Sequence, residues 1–158
     1  MSIQVGDKLP SVDIKTMGNE GPETINTGDV FSGKKVVLFA VPGAFTPGCS
    51  AAHMPGFVVH VDDILAKGVD TVACIAVNDA FVMSAWGESQ NAEKILMLAD
   101  GNNEFTKAIG MELDGTGFGL GTRSKRYAMI VEDGVVKALE VDAKGVEKSS
   151  AEHILTLL

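Results

Sequence analysis

An α/β fold, with a central mixed sheet and helices on both faces, is what this sequence predicts, and three observations predict it. Continuous apolar runs of strand length recur at 36–41, 71–77 and 95–99, the mark of strands buried on both faces. Helically spaced apolar residues fill the intervals between them, and strand alternating with helix is the arithmetic of an α/β domain, not of a sandwich or a bundle. A turn dipeptide, Asp133-Gly134, divides two later apolar runs, which adds an antiparallel hairpin.

The elements follow in order. The run 36–41 is a buried strand stopped by Pro42-Gly43, because proline brings no ladder donor and glycine turns the chain. A helix opens near 47–50 and continues to Lys67, with Phe57, Val61, Ile64 and Leu65 in helical register. Pro55 lies inside it and predicts a kink or one loosened turn. Residues 71–77 are β-branched and apolar, a second buried strand, and Asn78-Asp79 caps a helix over 80–89. A third strand at 95–99 is closed by Asp100-Gly101, and a short helix spans 103–109. The glycine-rich stretch 115–121 reads as an ordered loop with tight turns. The hairpin pairs 127–131 with 135–139, and Ser150 opens a C-terminal packing helix within 149–158. The pattern is compatible with a thioredoxin-like sheet. Its 158 residues suffice for one sizeable core, so 1–158 is expected to be a single domain.

Composition narrows the partners. Thirteen basic and 21 acidic residues give a formal charge of −8, which opposes broad binding to nucleic acid or to an anionic membrane. The first residues, 1–13, do not resemble a secretion signal, and no apolar run approaches membrane-spanning length. A cytoplasmic location is expected, with an organellar one open if a transit peptide has been removed. Two cysteines are too few for a disulfide scaffold or a thiolate zinc site. His53, His60 and His153 are scattered, so neither a metal nor another cofactor is expected.

The chemistry concentrates in residues 42–50, PGAFTPGCS. Cys49 follows a buried strand and begins a helix, where unpaired N–H groups and the helix dipole favour an anion. Lowering a free thiol by ~2 pH units from ~8.5 needs ~2.7 kcal/mol of preference for the thiolate. A helix terminus typically supplies only ~0.3 to 1 kcal/mol, so a second cation is required. Arg123, Lys125 and Arg126 stand immediately before the strand at Tyr127, and spacing does not choose among them. Thr46 can offer a hydroxyl to the thiolate or to a peroxide oxygen, and Pro42 can shield the pocket from water. The reading fails if the sulfur proves sealed from solvent and far from any arginine.

These residues resemble the active-site segment of atypical, type II peroxiredoxins, the peroxiredoxin-5 subgroup. The likeness covers PGAFTPGCS at 42–50, HMPGF at 53–57, VNDAFVMSAW at 77–86 and GLGTRSKRY at 119–127. It implies a thioredoxin-like fold and a thiol peroxidase with Cys49 as peroxidatic cysteine, Thr46 and Pro42 beside it, and Arg126 as the guanidinium that orients thiolate and peroxide. Backbone N–H groups near Gly48 and Cys49 would help bind the departing oxygen. Many members of the subgroup carry a resolving cysteine near the C-terminus, where this chain has Lys148, Ser149 and Ser150. The resemblance therefore implies an external reductant, glutathione with glutaredoxin or thioredoxin, and a homodimer. Cys74 is the one other thiol, but a cysteine within a buried strand needs local unfolding to reach Cys49.

Blander readings stand beside these. A buried cysteine is most often a small apolar residue, which suits Cys74 better than Cys49. His53 suggests a Cys-His dyad, yet no orienting Asn or Asp is identifiable, so a supporting role is favoured. Trp86 reads as helix packing. The loop 115–121 contains no nucleotide-binding glycine motif. A dithiol reductase would share the fold but needs CxxC, and Thr46 stands where its first cysteine would be. A redox-inert binding module that keeps the fold is the other alternative.

Overall fold

The computed structural model describes residues 2–158. Nine strands and five helices run β1 (Asp13–Gly18), β2 (Gly21–Asn26), α1 (Thr27–Phe31), β3 (Lys35–Ala40), α2 (Met54–Ala66), β4 (Thr71–Ala76), α3 (Ala80–Ser89), β5 (Leu96–Ala99), α4 (Glu104–Ala108), β6 (Glu112–Asp114), β7 (Thr122–Ser124), β8 (Arg126–Glu132), β9 (Val135–Asp142) and α5 (Ala151–Leu157). A π-helical turn, Cys49–His53, leads into α2, and a 3-10 turn, Thr116–Phe118, sits between β6 and β7.

Seven strands form one mixed sheet in the order β2-β1-β5-β4-β3-β8-β9. β3, β4 and β5 are parallel, while β8 runs antiparallel to β3 and to β9. The central strand shows why its apolar run is unbroken. Val37, Phe39 and Val41 enter one buried cluster, with Phe57, Ile64, Trp86 and Ile154 from α2, α3 and α5. Val36, Leu38 and Ala40 enter the other, with Phe31 and Phe105 from α1 and α4. Both faces of the sheet are thus covered by helices, and each large side chain so buried contributes about 1.5–3 kcal/mol. This is the thioredoxin-like arrangement expected.

Caps and turns obey local chemistry. Asp79 accepts from Val82 N at 2.8 Å and Ser150 Oγ from His153 N at 3.1 Å, closing the α3 and α5 N-termini as their sequence positions require. Asp133 and Gly134 both have positive φ, 48° and 79°, the primed turn that matches strand twist in a hairpin. The helix expected from 47–50 to 67 is divided, as Pro55 implies: Met54 N donates to Cys49 O across a wide turn before α2 begins. The N-terminal β1, β2 and α1 and the small hairpin β6–β7 were not anticipated; the glycine loop 115–121 is what that hairpin carries. No helix among the described residues is long and apolar enough to cross a membrane.

Candidate active site

The loop after β3 is shaped by its own backbone. Thr46 Oγ1 donates to Gly43 O at 2.6 Å, and Ser50 N donates to Thr46 O at 2.9 Å. Asn78, at the end of β4, accepts Ala44 N at 3.0 Å. Between these ties Phe45 is held at φ 64° with its ring exposed, a conformation costing about 1–3 kcal/mol for a bulky residue. The loop delivers Cys49 to the first position of the π-helical turn, in the same buried cluster as Phe39 and Phe57, whose rings stack at 3.9 Å. Trp86 fixes that turn from α3, its Nε1 donating to Ser50 Oγ at 3.0 Å.

Arg126, the first residue of β8, reaches the same place from the sheet. Its Nη2 donates to Cys49 Sγ at 3.1 Å and its Nη1 to His53 Nδ1 at 2.8 Å. His53 Nε2 lies 2.9 Å from Ser149 O. A carbonyl only accepts, so Nε2 carries the proton and Nδ1 presents its lone pair to the guanidinium. Burial and then the Arg126 charge lower the His53 pKa to about 4, against partial opposition from Ser149 O and Asp142. The imidazole is therefore neutral at neutral pH. A Cβ at Gly48 would lie 3.3 Å from Arg126 Nη2, so a larger residue before the cysteine would press on the guanidinium.

Of the residues singled out from the sequence, Cys49, Gly48 and Arg126 are brought together, and His53 joins them. Among the three cations Arg126 meets the sulfur, whereas Arg123 donates to Leu120 O at 3.0 Å and Val77 O at 2.9 Å, and Lys125 is exposed. The Thr46 hydroxyl proton goes to Gly43 O and not to the sulfur, which leaves its lone pairs as acceptors. Pro42 lines a cavity of about 430 Å³ with Arg126, Lys125, Leu113 and Lys144. Cys49 has 0% exposure, so of the two conditions set against the sequence reading, sealing is met and distance from arginine is not. Cys74 is free, like Cys49, and fully buried in β4. Burial and then the Cys49 charge push its thiol up, with Arg126 acting the other way. Sequence reasoning missed Asn78, Trp86, Asp142 and Ser149 as supports; only Asn78, beside a recognised cap, left a local signal. Among the described residues no group of His, Cys, Asp and Glu is arranged to hold a metal ion.

A thioredoxin-like sheet carrying a cysteine at a helix entrance, in contact with a guanidinium, defines a thiol-based redox protein. The family described as Redoxin matches residues 4–155. Peroxiredoxin-2E-2, chloroplastic, of Oryza sativa subsp. japonica is 48% identical over 99% of this chain and 73% of its own length. Peroxiredoxin-2C of Arabidopsis thaliana is 42% identical over 99% and 98%. The structure of reduced Prx3 from Vibrio vulnificus in complex with hydrogen peroxide superposes with a TM-score of 0.95 at 56% identity, over 98% of each chain. The chain belongs to the peroxiredoxin family, and it is a thiol-dependent peroxidase with an antioxidant function.

Proposed function

We propose that Cys49 is the peroxidatic cysteine, and that the chain is an atypical type II peroxiredoxin of the peroxiredoxin-5 subgroup without a C-terminal resolving cysteine. The observation that carries this reading is the 3.1 Å contact from Arg126 Nη2 to Cys49 Sγ, a charge-assisted donor that a thiolate accepts. The sulfur attacks the terminal oxygen of hydrogen peroxide or an organic hydroperoxide. An S–O bond forms as the O–O bond breaks, the sulfur is oxidised to a sulfenic acid, and the departing oxygen leaves as water or alcohol after taking a proton. Arg126 and the backbone N–H groups at Gly48 and Cys49 meet the negative charge on that oxygen. Thr46 Oγ1 accepts the peroxide O–H, and Pro42 keeps water from the pocket. Since Cys49 is covered, the peroxide enters as the loop 43–48, strained at Phe45, opens.

An external thiol then condenses with the sulfenic acid, giving a mixed disulfide and water, and a second thiol releases Cys49. Glutathione with glutaredoxin, or thioredoxin, fills this role in the cytoplasm. Cys74 is not the resolving thiol, because burial keeps it protonated within a central strand. The protein acts as a homodimer through the loops around the site, with exposed Phe45, Phe81 and Phe118 as its apolar contacts.

Intact mass after one equivalent of peroxide tests this. Gain of one oxygen on Cys49, replaced by a glutathione adduct when glutathione is added, is expected. Loss of two hydrogens without added thiol would move resolution to Cys74, and a Cys49→Ser variant with full turnover would end the mechanism.

A further inference from the structure

Arg126 and Asp142 face one another in the antiparallel register of β8 and β9. A carboxylate opposite a guanidinium ordinarily pairs with it, yet among the described residues Arg126 forms no ion pair. Asp142 turns instead to the loop that follows β9. It accepts Glu147 N at 3.0 Å, Lys148 N at 3.1 Å, Ser149 N at 2.9 Å and Ser149 Oγ at 2.7 Å. Burial would raise its pKa, but these donors prevail and hold it down to about 2. Two of the four come from Ser149, so the orientation of that residue, and of its carbonyl, is set by Asp142.

The Ser149 carbonyl in turn has one polar contact that matters, His53 Nε2. Both residues are buried, so no water competes for either. We propose that Asp142 and Ser149 are positioning residues for the peroxidase reaction: their turn fixes His53 in its Nε2–H tautomer, so that Arg126 is oriented by a neutral lone pair and keeps its charge for Cys49. The proposal rests on the reading of Cys49 and Arg126 above. A carboxylate in the place of His53 Nδ1 would orient the guanidinium equally well but would cancel much of the field at the sulfur. The carboxylate nearest in the strand register is the one that the turn diverts. Orientation is thereby separated from neutralisation, and the residue that achieves it belongs to a loop outside the active-site segment.

The test compares Asp142→Ala and the milder Ser149→Ala with wild type, and with Ile154→Val, a buried α5 variant that lowers stability without touching the relay. Three quantities are read: imidazole nitrogen shifts of His53, the pH dependence of Cys49 alkylation, and kcat/KM for hydrogen peroxide. In wild type, His53 shows a pyrrole-like Nε2 and a pyridine-like Nδ1. Both relay variants lose that signature, move the alkylation midpoint to higher pH, and lower kcat/KM by roughly 10- to 100-fold for Asp142→Ala and less for Ser149→Ala. Asp142→Asn, which retains one acceptor oxygen, recovers part of each. Unchanged shifts and an unchanged alkylation profile in the relay variants, or the same changes in Ile154→Val, would overturn the proposal. The imidazole spectrum needs no turnover, so an inactive wild-type protein would sink the reading of Cys49 and leave the relay to be decided by the tautomer.

Discussion

Arg126 touches a sulfur and an imidazole with separate nitrogens, 3.1 Å and 2.8 Å away, and that division makes a substitution informative. Lysine keeps the charge but has no planar fork, so it can meet Cys49 or His53 but not hold both in one geometry. Arg126→Lys is expected to lower kcat/KM for peroxide by about 100-fold while leaving the fold intact by circular dichroism; activity within a factor of a few of wild type would show that charge alone suffices. His53 yields a second prediction with a defined sign. Its folded pKa, about 4, lies below the ordinary 6.5, so between those values the unfolded chain binds a proton that the folded chain refuses. Stability is therefore fully present above pH 6.5 and falls as the pH drops towards 4, by on the order of 3 kcal/mol. Asp142 acts in a lower window, losing its contribution between 3.8 and about 2. Urea unfolding across pH 7 to 4 should show the first slope, and His53→Gln should flatten it. An equally steep slope in His53→Gln would assign the effect to other groups.

The π-helical turn Cys49–His53 ends where Pro55 stands, in the first turn of α2. With no N–H on Pro55, the Ala51 carbonyl has no donor four residues on, and one residue earlier Met54 N, whose α-helical acceptor would be Ser50 O, reaches back to Cys49 O. Pro55→Ala restores the donor and lets the turn tighten by one residue, which swings Cys49 by about 100° relative to α2. Peroxide kcat/KM should fall by roughly tenfold or more with helix content unchanged or raised; full activity would separate the turn from catalysis. The loosened turn was legible in the sequence because a proline states its own consequence. The central strands were legible for a similar reason, since burial on both faces leaves an unbroken apolar run. β1 and β2 were not, because DIKTMG and GPETIN lie at one margin of the sheet, β2 as its edge strand and β1 just inside it, and with only Ile14 buried between them neither carries an apolar pattern. β6 and β7 are three residues each, too short to carry a period, and Arg123, within β7, ties their loop to the distant Val77 O. Likewise Cys49, Thr46 and Pro42 are near in sequence and could be read together. His53, in the same turn as Cys49, could be weighed with it too, but its links to Arg126 and, through Ser149, to Asp142 run through strand register and a folded turn, which spacing does not encode.

Segments 42–46, 77–81 and 115–121 converge beyond the ends of β3 and β4. Arg123 shows it: it donates to Leu120 O and Val77 O, and a Cβ at Gly43 would lie 3.7 Å from its Nη1. Each segment exposes one phenylalanine: Phe45 by 56%, Phe81 by 67% and Phe118 by 89%. Aromatic rings bury roughly 150–250 Å² apiece, so three from each copy in a twofold contact supply much of the roughly 1,200 Å² at which stable interfaces begin. Opposing this, each chain carries a charge of −8, and two copies repel over distances that salt screens to about 10 Å at 0.1 M. The balance predicts a dimer that tightens as salt is added, the reverse of an ion-paired interface. Phe118→Asp places a further negative charge at the most exposed of the three rings and should yield monomers in sedimentation velocity at micromolar concentration. Because Phe45 belongs to the loop that leads into Cys49, loss of the contact should also lower kcat/KM for peroxide by several-fold. A Phe118→Asp protein that remained dimeric would place the interface elsewhere, and a monomeric one with full activity would separate assembly from catalysis at Cys49.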